Sequence, residues 1–176
     1  LQPPMPLQVL DVGTGSGCIA VTLAADLRNS AVTAWDISGD ALLIARENVH
    51  QWQVRVELKM EDALHPSASA MQQKFDVIVS NPPYICDKER TEMEGNVLAY
   101  EPETALFVPD DDPLRFYRAT AEYGVQALSA DGVLYFETNP LYINDVKEML
   151  NTLGYKQIEL REDQFGKLRF TKAIRP

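Results

Sequence analysis

Apolar residues fall along this chain in short blocks that alternate between two kinds of pattern. Leu7 to Val12 is a brief apolar stretch bounded by Pro6 and a glycine cluster. It is too short for a helix and reads as a buried parallel strand. Cys18–Leu27, rich in Ala, Leu and Ile, reads as a helix. After a turn at Arg28-Asn29-Ser30, Ala31–Ile37 reads as a second strand, with Asp36 at its end, and Ala41–Val49 as a second helix. Val54–Met60 alternates apolar and polar like a half-exposed strand. Pro66–Lys74 is weakly helical or loop, and Phe75–Ser80 is the clearest buried strand in the chain. Regular strand–helix alternation predicts right-handed crossovers and a parallel sheet covered on both faces, an α/β fold.

Residues 81 to 112 carry no periodicity, and so long a connection in a compact domain is usually functional or holds short elements of its own. A third helix then starts with Asp112 as cap and Pro113 at the first helical position. Leu114, Tyr117, Ala121, Val125 and Leu128 form its apolar stripe. Asp131-Gly132 turns into a strand at Val133–Glu137. Asn139-Pro140 repeats the cap-and-proline start for a helix carrying Val146, Met149, Leu150 and Leu153, and Gly154 ends it in the left-handed position. Tyr155–Leu160 and Leu168–Ile174 close the chain as an antiparallel hairpin around Asp163–Gly166.

Composition narrows the class. The 176 residues, 45% apolar and 24% charged, suit one globular domain and exclude collagen-like, coiled-coil and disordered chains. A net charge of −10 sets a repulsion against any phosphate backbone, so nucleic acid is a disfavoured partner. No apolar run approaches the roughly 20 residues of a membrane span, and no secretion signal opens the chain, so a cytoplasmic protein without membrane contact is expected. Two cysteines and two histidines, none closely spaced, predict reduced thiols and no metal site. The chain begins Leu1-Gln2-Pro3-Pro4 without an initiator Met, which suggests a fragment of a larger protein.

The first chemical feature is Asp11-Val12-Gly13-Thr14-Gly15-Ser16-Gly17, between the first strand and first helix, where an open α/β sheet leaves its binding crevice. Glycines let the backbone turn sharply and approach a ligand closely. A dinucleotide turn requires Gly-x-Gly-x-x-Gly, but position 18 is Cys and the third glycine comes one residue early. Asp36, ending the next strand, can accept hydrogen bonds from both ribose hydroxyls and would repel a 2′-phosphate. Asp11 is better placed for a cationic amino acid moiety than for a phosphate. The pair therefore fits S-adenosylmethionine rather than NAD. Asp62, after the third strand, can reach an adenine amino group.

The second feature is Asn81-Pro82-Pro83-Tyr84, directly after the buried fourth strand. Two prolines fix φ and remove two N–H groups, leaving rigid acceptors. A planar NH₂ group conjugated to a carbonyl or a ring has little lone-pair density. It reacts when its protons are drawn onto acceptors and its nitrogen is aimed at the methyl carbon. The Asn81 side-chain oxygen and Pro82 carbonyl would accept the two N–H bonds while Tyr84 stacks on the planar group. No strong general base is needed, because the nitrogen can lose its proton to solvent after the displacement.

With these motifs the sequence resembles the class I S-adenosylmethionine-dependent methyltransferases. More closely, it resembles the HemK-type enzymes that methylate the glutamine side-chain amide of peptide chain release factors. Asp11–Gly17, Asp36, Phe75–Tyr84 and Tyr100–Leu106 carry the likeness, which covers nearly the whole chain. Asn-Pro-Pro-Tyr alone is shared with adenine- and guanine-amino methyltransferases of nucleic acid, which are the alternative reading. Glu101-Pro102-x-x-Ala105-Leu106 is similar to the release-factor enzymes. The resemblance implies a Rossmann-like seven-stranded sheet in the order 3-2-1-4-5-7-6, its last strand antiparallel, with helices on both faces. It also implies cofactor contacts at Gly13, Thr14, Gly15, Ser16, Gly17, Asp36 and Asn81. The substrate amide would sit at Asn81, Pro82, Pro83 and Tyr84, with the glutamine of a Gly-Gly-Gln motif as acceptor. Two departures stand out. Ala63 takes a place where many relatives have an aromatic residue, and the helical N-terminal release-factor-binding domain that the resemblance implies is expected to lie outside the 1–176 methyltransferase domain.

Other features read as structural. The mixed charges of Asp87–Glu94 suit a solvated loop, and Asp110-Asp111-Asp112 a helix start rather than a metal site. Cys86 suits an ordinary thiol, and Trp35 and Trp52 packing residues.

Overall fold

A computed structural model describes residues 5–86 and 107–176. The expected solvated loop of Asp87–Glu94 and the Tyr100–Leu106 segment lie outside the described residues. Among the described residues, nine strands and four helices follow in chain order: β1 (Leu7–Val12), α1 (Cys18–Asp26), β2 (Ser30–Asp36), α2 (Gly39–Gln51), β3 (Val56–Met60), β4 (Phe75–Ser80), β5 (Ile85–Cys86), β6 (Phe107–Val108), α3 (Arg115–Ala127), β7 (Leu128–Glu137), α4 (Ile143–Thr152), β8 (Lys156–Glu162) and β9 (Leu168–Ile174). A single 3-10 turn, Ala70–Gln72, occupies the weakly helical stretch before β4.

Seven strands form one sheet in the order β3-β2-β1-β4-β7-β9-β8, parallel except where β9 runs antiparallel to both neighbours. Counted within that sheet alone, the succession is 3-2-1-4-5-7-6. It differs in label because β5 and β6, too short to have been read from the sequence, pair with each other outside it.

Alternation along each strand sorts the core into two layers. Val9, Val32 and Ala34 face α1 and pack with Ala20. Leu10, Val12, Trp35, Phe75 and Ile78 face the other way, onto Tyr117, Ala121 and Tyr123 of α3 and Val146 and Leu150 of α4. Trp35 is the largest buried side chain, with Tyr123 at 5.0 Å and Phe75 at 6.5 Å between ring centroids. Each such side chain, fully buried, contributes roughly 1.5–3 kcal/mol.

Four expectations shift. Asp112 does not cap α3: its carboxylate forms a two-point pair with Arg118 at 3.0 and 3.1 Å, and the helix begins at Arg115. A charge-assisted fork outcompetes a neutral N–H. Asn139 accepts the Leu141 N–H at 3.0 Å in a turn that precedes α4, so Pro140 is not its first residue. Leu128 ends the stripe of α3 but opens β7 opposite Phe75, and the Asp131-Gly132 turn survives as an irregularity within that strand. Trp52 is 65% exposed, following α2 on the way to the edge strand β3, and is not a core residue. Cys86 is buried and donates its S–H to the Tyr142 hydroxyl at 3.3 Å.

Gly124 of α3 faces Tyr155, whose hydroxyl donates to the Ala121 carbonyl at 2.8 Å, and a Cβ there would overlap that hydroxyl. Gly124→Ala should therefore lower stability by about 1–3 kcal/mol despite its better helix propensity. Adding Tyr155→Phe should recover part of the loss, because it opens the space. Urea unfolding of the two single variants and the double variant measures the coupling, and additive losses would exclude the overlap.

Candidate functional site

The site lies at the carboxyl edge of β1, β2 and β4. β1 pairs in parallel with both β2 and β4, with Val12 opposite Trp35 on one side and Ser80 on the other. The glycine turn, Asp36 and Asn81 therefore leave the sheet beside one another. A buried bond from Ser80 Oγ to the Val12 carbonyl, 2.7 Å, pins the β1–β4 register at this edge.

Gly13, Gly15 and Gly17 all have φ between 56° and 82°, the left-handed region that costs a residue with a Cβ about 1 kcal/mol or more. The N–H groups of Gly13 and Thr14 both donate to the Trp35 carbonyl at 2.9 Å, folding the turn back over β2. Among the described residues nothing stands within 4 Å of a Cβ built on Gly13 or Gly15, which leaves space for a ligand on that side of the turn. At Gly17 a Cβ would meet Ala45 at 3.1 Å, so this glycine also allows α2 to approach. Asn48 of α2 donates to the Ser16 carbonyl at 2.8 Å and ties the turn from the same side.

Two acids bond to the turn, and a third, Asp62, follows the end of β3 beside β2. Asp11 is fully buried: Oδ2 accepts the Thr14 hydroxyl at 2.6 Å and the Ala20 N–H at 3.2 Å. Its Oδ1 has no partner among the described residues, and burial pushes the carboxyl up to about 6 despite those two bonds. Asp36 uses one oxygen for the Gly15 N–H, 2.8 Å, and the other for the Ser38 N–H, 2.9 Å, and each oxygen retains a lone pair for a further donor. Asp62 accepts from Leu64 N–H at 2.8 Å and contacts His65 Nδ1 at 2.9 Å. Partial burial works to raise its carboxyl, but those bonds outweigh it and hold the group below its usual range.

On the β4 side, Asn81 is exposed, Pro82 buried, and Pro83 and Tyr84 half-buried. The Tyr84 hydroxyl lies 3.1 Å from Glu137 Oε1 and 3.3 Å from Arg169 Nη1. Burial, then the Glu137 charge, pushes the phenol up to about 12, so it stays protonated at neutral pH. Asn139 Nδ2 donates to the Tyr84 carbonyl at 3.0 Å. Sequence reasoning missed Ser80, Asn48, Glu137, Asn139 and Arg169 as parts of this site. Only Ser80 carried a signal, as a lone hydroxyl closing an apolar strand.

No group of three or more His, Cys, Asp or Glu side chains is arranged for a metal among the described residues. No helix among them is long and apolar enough to cross a membrane.

The family model described as "Methyltransferase small domain" matches residues 1–105. A release factor glutamine methyltransferase from Bacteroides thetaiotaomicron is 48% identical over 173 residues, covering 98% of this chain and 62% of that protein. The enzyme of that name from Flavobacterium psychrophilum is 42% identical, covering 95% of this chain and 58% of that protein. The chain thus spans about three-fifths of the length of these curated relatives. Among solved structures, a methyltransferase from Pyrococcus furiosus superposes with a TM-score of 0.70 at 20% identity, over 97% of this chain and 75% of that one.

The Asp11 carboxyl titrates near 3.8 when solvated and near 6 when folded. Its folded pKa is raised, so the stabilisation it provides is complete below about pH 4 and lost as pH rises through about 6. The loss is on the order of 2–3 kcal/mol in the absence of a cationic ligand. Asp11→Asn should remove that part of the pH dependence, measured as urea midpoints at pH 4.5 and 7. An unchanged slope would contradict the dry environment of this carboxyl.

Proposed function

The chain belongs to the methyltransferase small-domain family, and from that premise we propose that it transfers a methyl group from S-adenosylmethionine to the side-chain amide nitrogen of a glutamine. The substrate would be the Gly-Gly-Gln motif of a peptide chain release factor, met in the cytoplasm. One observation carries the reading: the parallel register of Val12 and Ser80 brings the glycine turn and Asn81-Pro82-Pro83-Tyr84 out of the sheet side by side.

The residues fit the cofactor. Asp11 Oδ1, without a partner among the described residues, suits a cationic amino group, whose charge would bring the raised carboxyl back to its ionised form. Asp36 suits two ribose hydroxyls and Asp62 the adenine amino group. The open faces of Gly13 and Gly15 admit close approach of the ligand, flanked by Thr14, Ser16 and Gly17. When bound, the cofactor supplies an electrophilic methyl carbon on a sulfonium that departs as a neutral thioether.

The chain's own task is then orientation. Asn81 Oδ1 and the Pro82 carbonyl accept the two amide N–H bonds, which turns the nitrogen lone pair toward the methyl group. Pro83 stiffens the loop and Tyr84 flanks the planar amide. With the methyl group supplied, the amide nitrogen would be left with a surplus proton, which it would lose to solvent. Tyr84 is not the base, because its phenol remains protonated and its hydroxyl is already engaged. Near-attack positioning of this kind is worth up to roughly 7–11 kcal/mol. The names of the two relatives and the net charge of −10 both favour a protein amide over a nucleobase.

Labelled S-adenosylmethionine offered with release factor, duplex DNA and RNA separates the readings. Label should enter release factor and vanish when its Gly-Gly-Gln glutamine becomes Ala, whereas label in nucleic acid alone would overturn the assignment. Asn81→Ala should lower transfer by about 10²-fold or more while cofactor binding changes far less.

A further inference from the structure

Tyr84 is gripped from two strands far from it in sequence. Its hydroxyl sits between Glu137 Oε1, at the end of β7, and Arg169 Nη1, on β9, which are themselves 3.7 Å apart. Arg169 Nε reaches Asp163 Oδ2 at 3.3 Å, and Asp163 is held by the Phe165 and Lys167 N–H groups of the β8–β9 turn. The Thr138 N–H donates to the Arg169 carbonyl at 2.7 Å, so the ends of β7 and β9 are joined directly behind the phenol.

The other grip is on the backbone. Asn139 Nδ2 donates to the Tyr84 carbonyl, while its own N–H donates to the buried Tyr117 hydroxyl at 3.1 Å and its Oδ1 accepts from Leu141. Tyr117 is locked edge-on against Phe136 at 5.2 Å. The loop that carries Asn81 is therefore fixed at both the carbonyl and the ring of its last residue. Neither grip touches the glycine turn, Asp36 or Asp62.

We propose that Glu137, Arg169 and Asn139 are positioning residues for the acceptor amide: they hold the Asn81–Tyr84 loop in its reactive arrangement and govern methyl transfer without governing cofactor affinity. This rests on the amide-methylation reading above. Glu137 and Arg169 act through the Tyr84 hydroxyl, and Asn139 through the Tyr84 carbonyl. Two kinds of coupling follow. Removing the hydroxyl makes Glu137 and Arg169 irrelevant to turnover, whereas Asn139 keeps its effect.

The test uses the full chain and its variants Tyr84→Phe, Glu137→Gln, Arg169→Met and Asn139→Asp, and the doubles of Tyr84→Phe with each of the others. Single-turnover methylation of release factor and equilibrium binding of S-adenosylmethionine are read in parallel. Each single variant should slow transfer by about tenfold or more, with cofactor affinity changed by less than about twofold. In the Tyr84→Phe background, Glu137→Gln and Arg169→Met should add less than about twofold, and Asn139→Asp its full effect. Undiminished effects of Glu137→Gln and Arg169→Met there, or losses that follow cofactor binding, would overturn the proposal. A ring-labelled tyrosine NMR titration reads the grip even if release factor is not the substrate. Glu137→Gln should bring Tyr84 ionisation down from about 12. An unmoved titration would overturn the clamp itself, whereas failure of release-factor methylation alone would overturn only the substrate.

Discussion

The arrangement of this protein depends on the parallel register of β1 against β4. Both strands lie inside the sheet, with β2 beyond one and β7 beyond the other, so their carboxyl ends finish at the same edge and point the same way. Val12 opposite Ser80 means that the chain leaves the sheet at Gly13 and at Asn81 from neighbouring positions. A slip of one strand by one residue would turn Leu10 or Ile78 out of the α3–α4 layer, and it would pull the Ser80 hydroxyl from the Val12 carbonyl. The two loops that follow solve opposite problems. One takes positive φ at three glycines, and in the other two successive prolines fix φ.

Charge is distributed around this edge with similar economy. A chain of net charge −10 would be expected to keep its carboxylates in water, yet Asp11 is dry and Asp36 is half-buried within the turn it organises. Their environments separate them. Asp11 has a raised carboxyl and one oxygen without a partner among the described residues, while Asp62, supported by His65 and the Leu64 N–H, is held ionised. An edge made of acceptors favours a ligand rich in donors and positive charge and disfavours phosphate. That preference agrees with the proposed cofactor and with a neutral amide as acceptor.

Local pattern carried the elements because strand and helix periodicity are decided within a few residues. It failed where two uses of one side chain competed. Asp112 was free to cap a helix or pair with Arg118 six residues along, and the two-point ion pair prevailed. Asn139 divides its amide between the Leu141 N–H and the Tyr84 carbonyl, and α4 starts later as a result. Leu128 satisfied a helical stripe and a strand equally well, and its pairing with Phe75 decided between them. Trp52 is bulky and apolar, but its place between α2 and the edge strand leaves it in water.

By itself the sequence determined the alternation of strand and helix, the glycine turn with its acids and the proline-stiffened loop, since each depends on neighbours in the chain. The tertiary structure alone decided which distant residues hold those motifs in place. Glu137 and Arg169 meet at Tyr84 across 53 and 85 positions of sequence, and Ser80 meets Val12 across 68. Hydrogen bonds act over about 3 Å in space and are indifferent to separation along the chain, so such partners become visible only once the sheet has set its order and register.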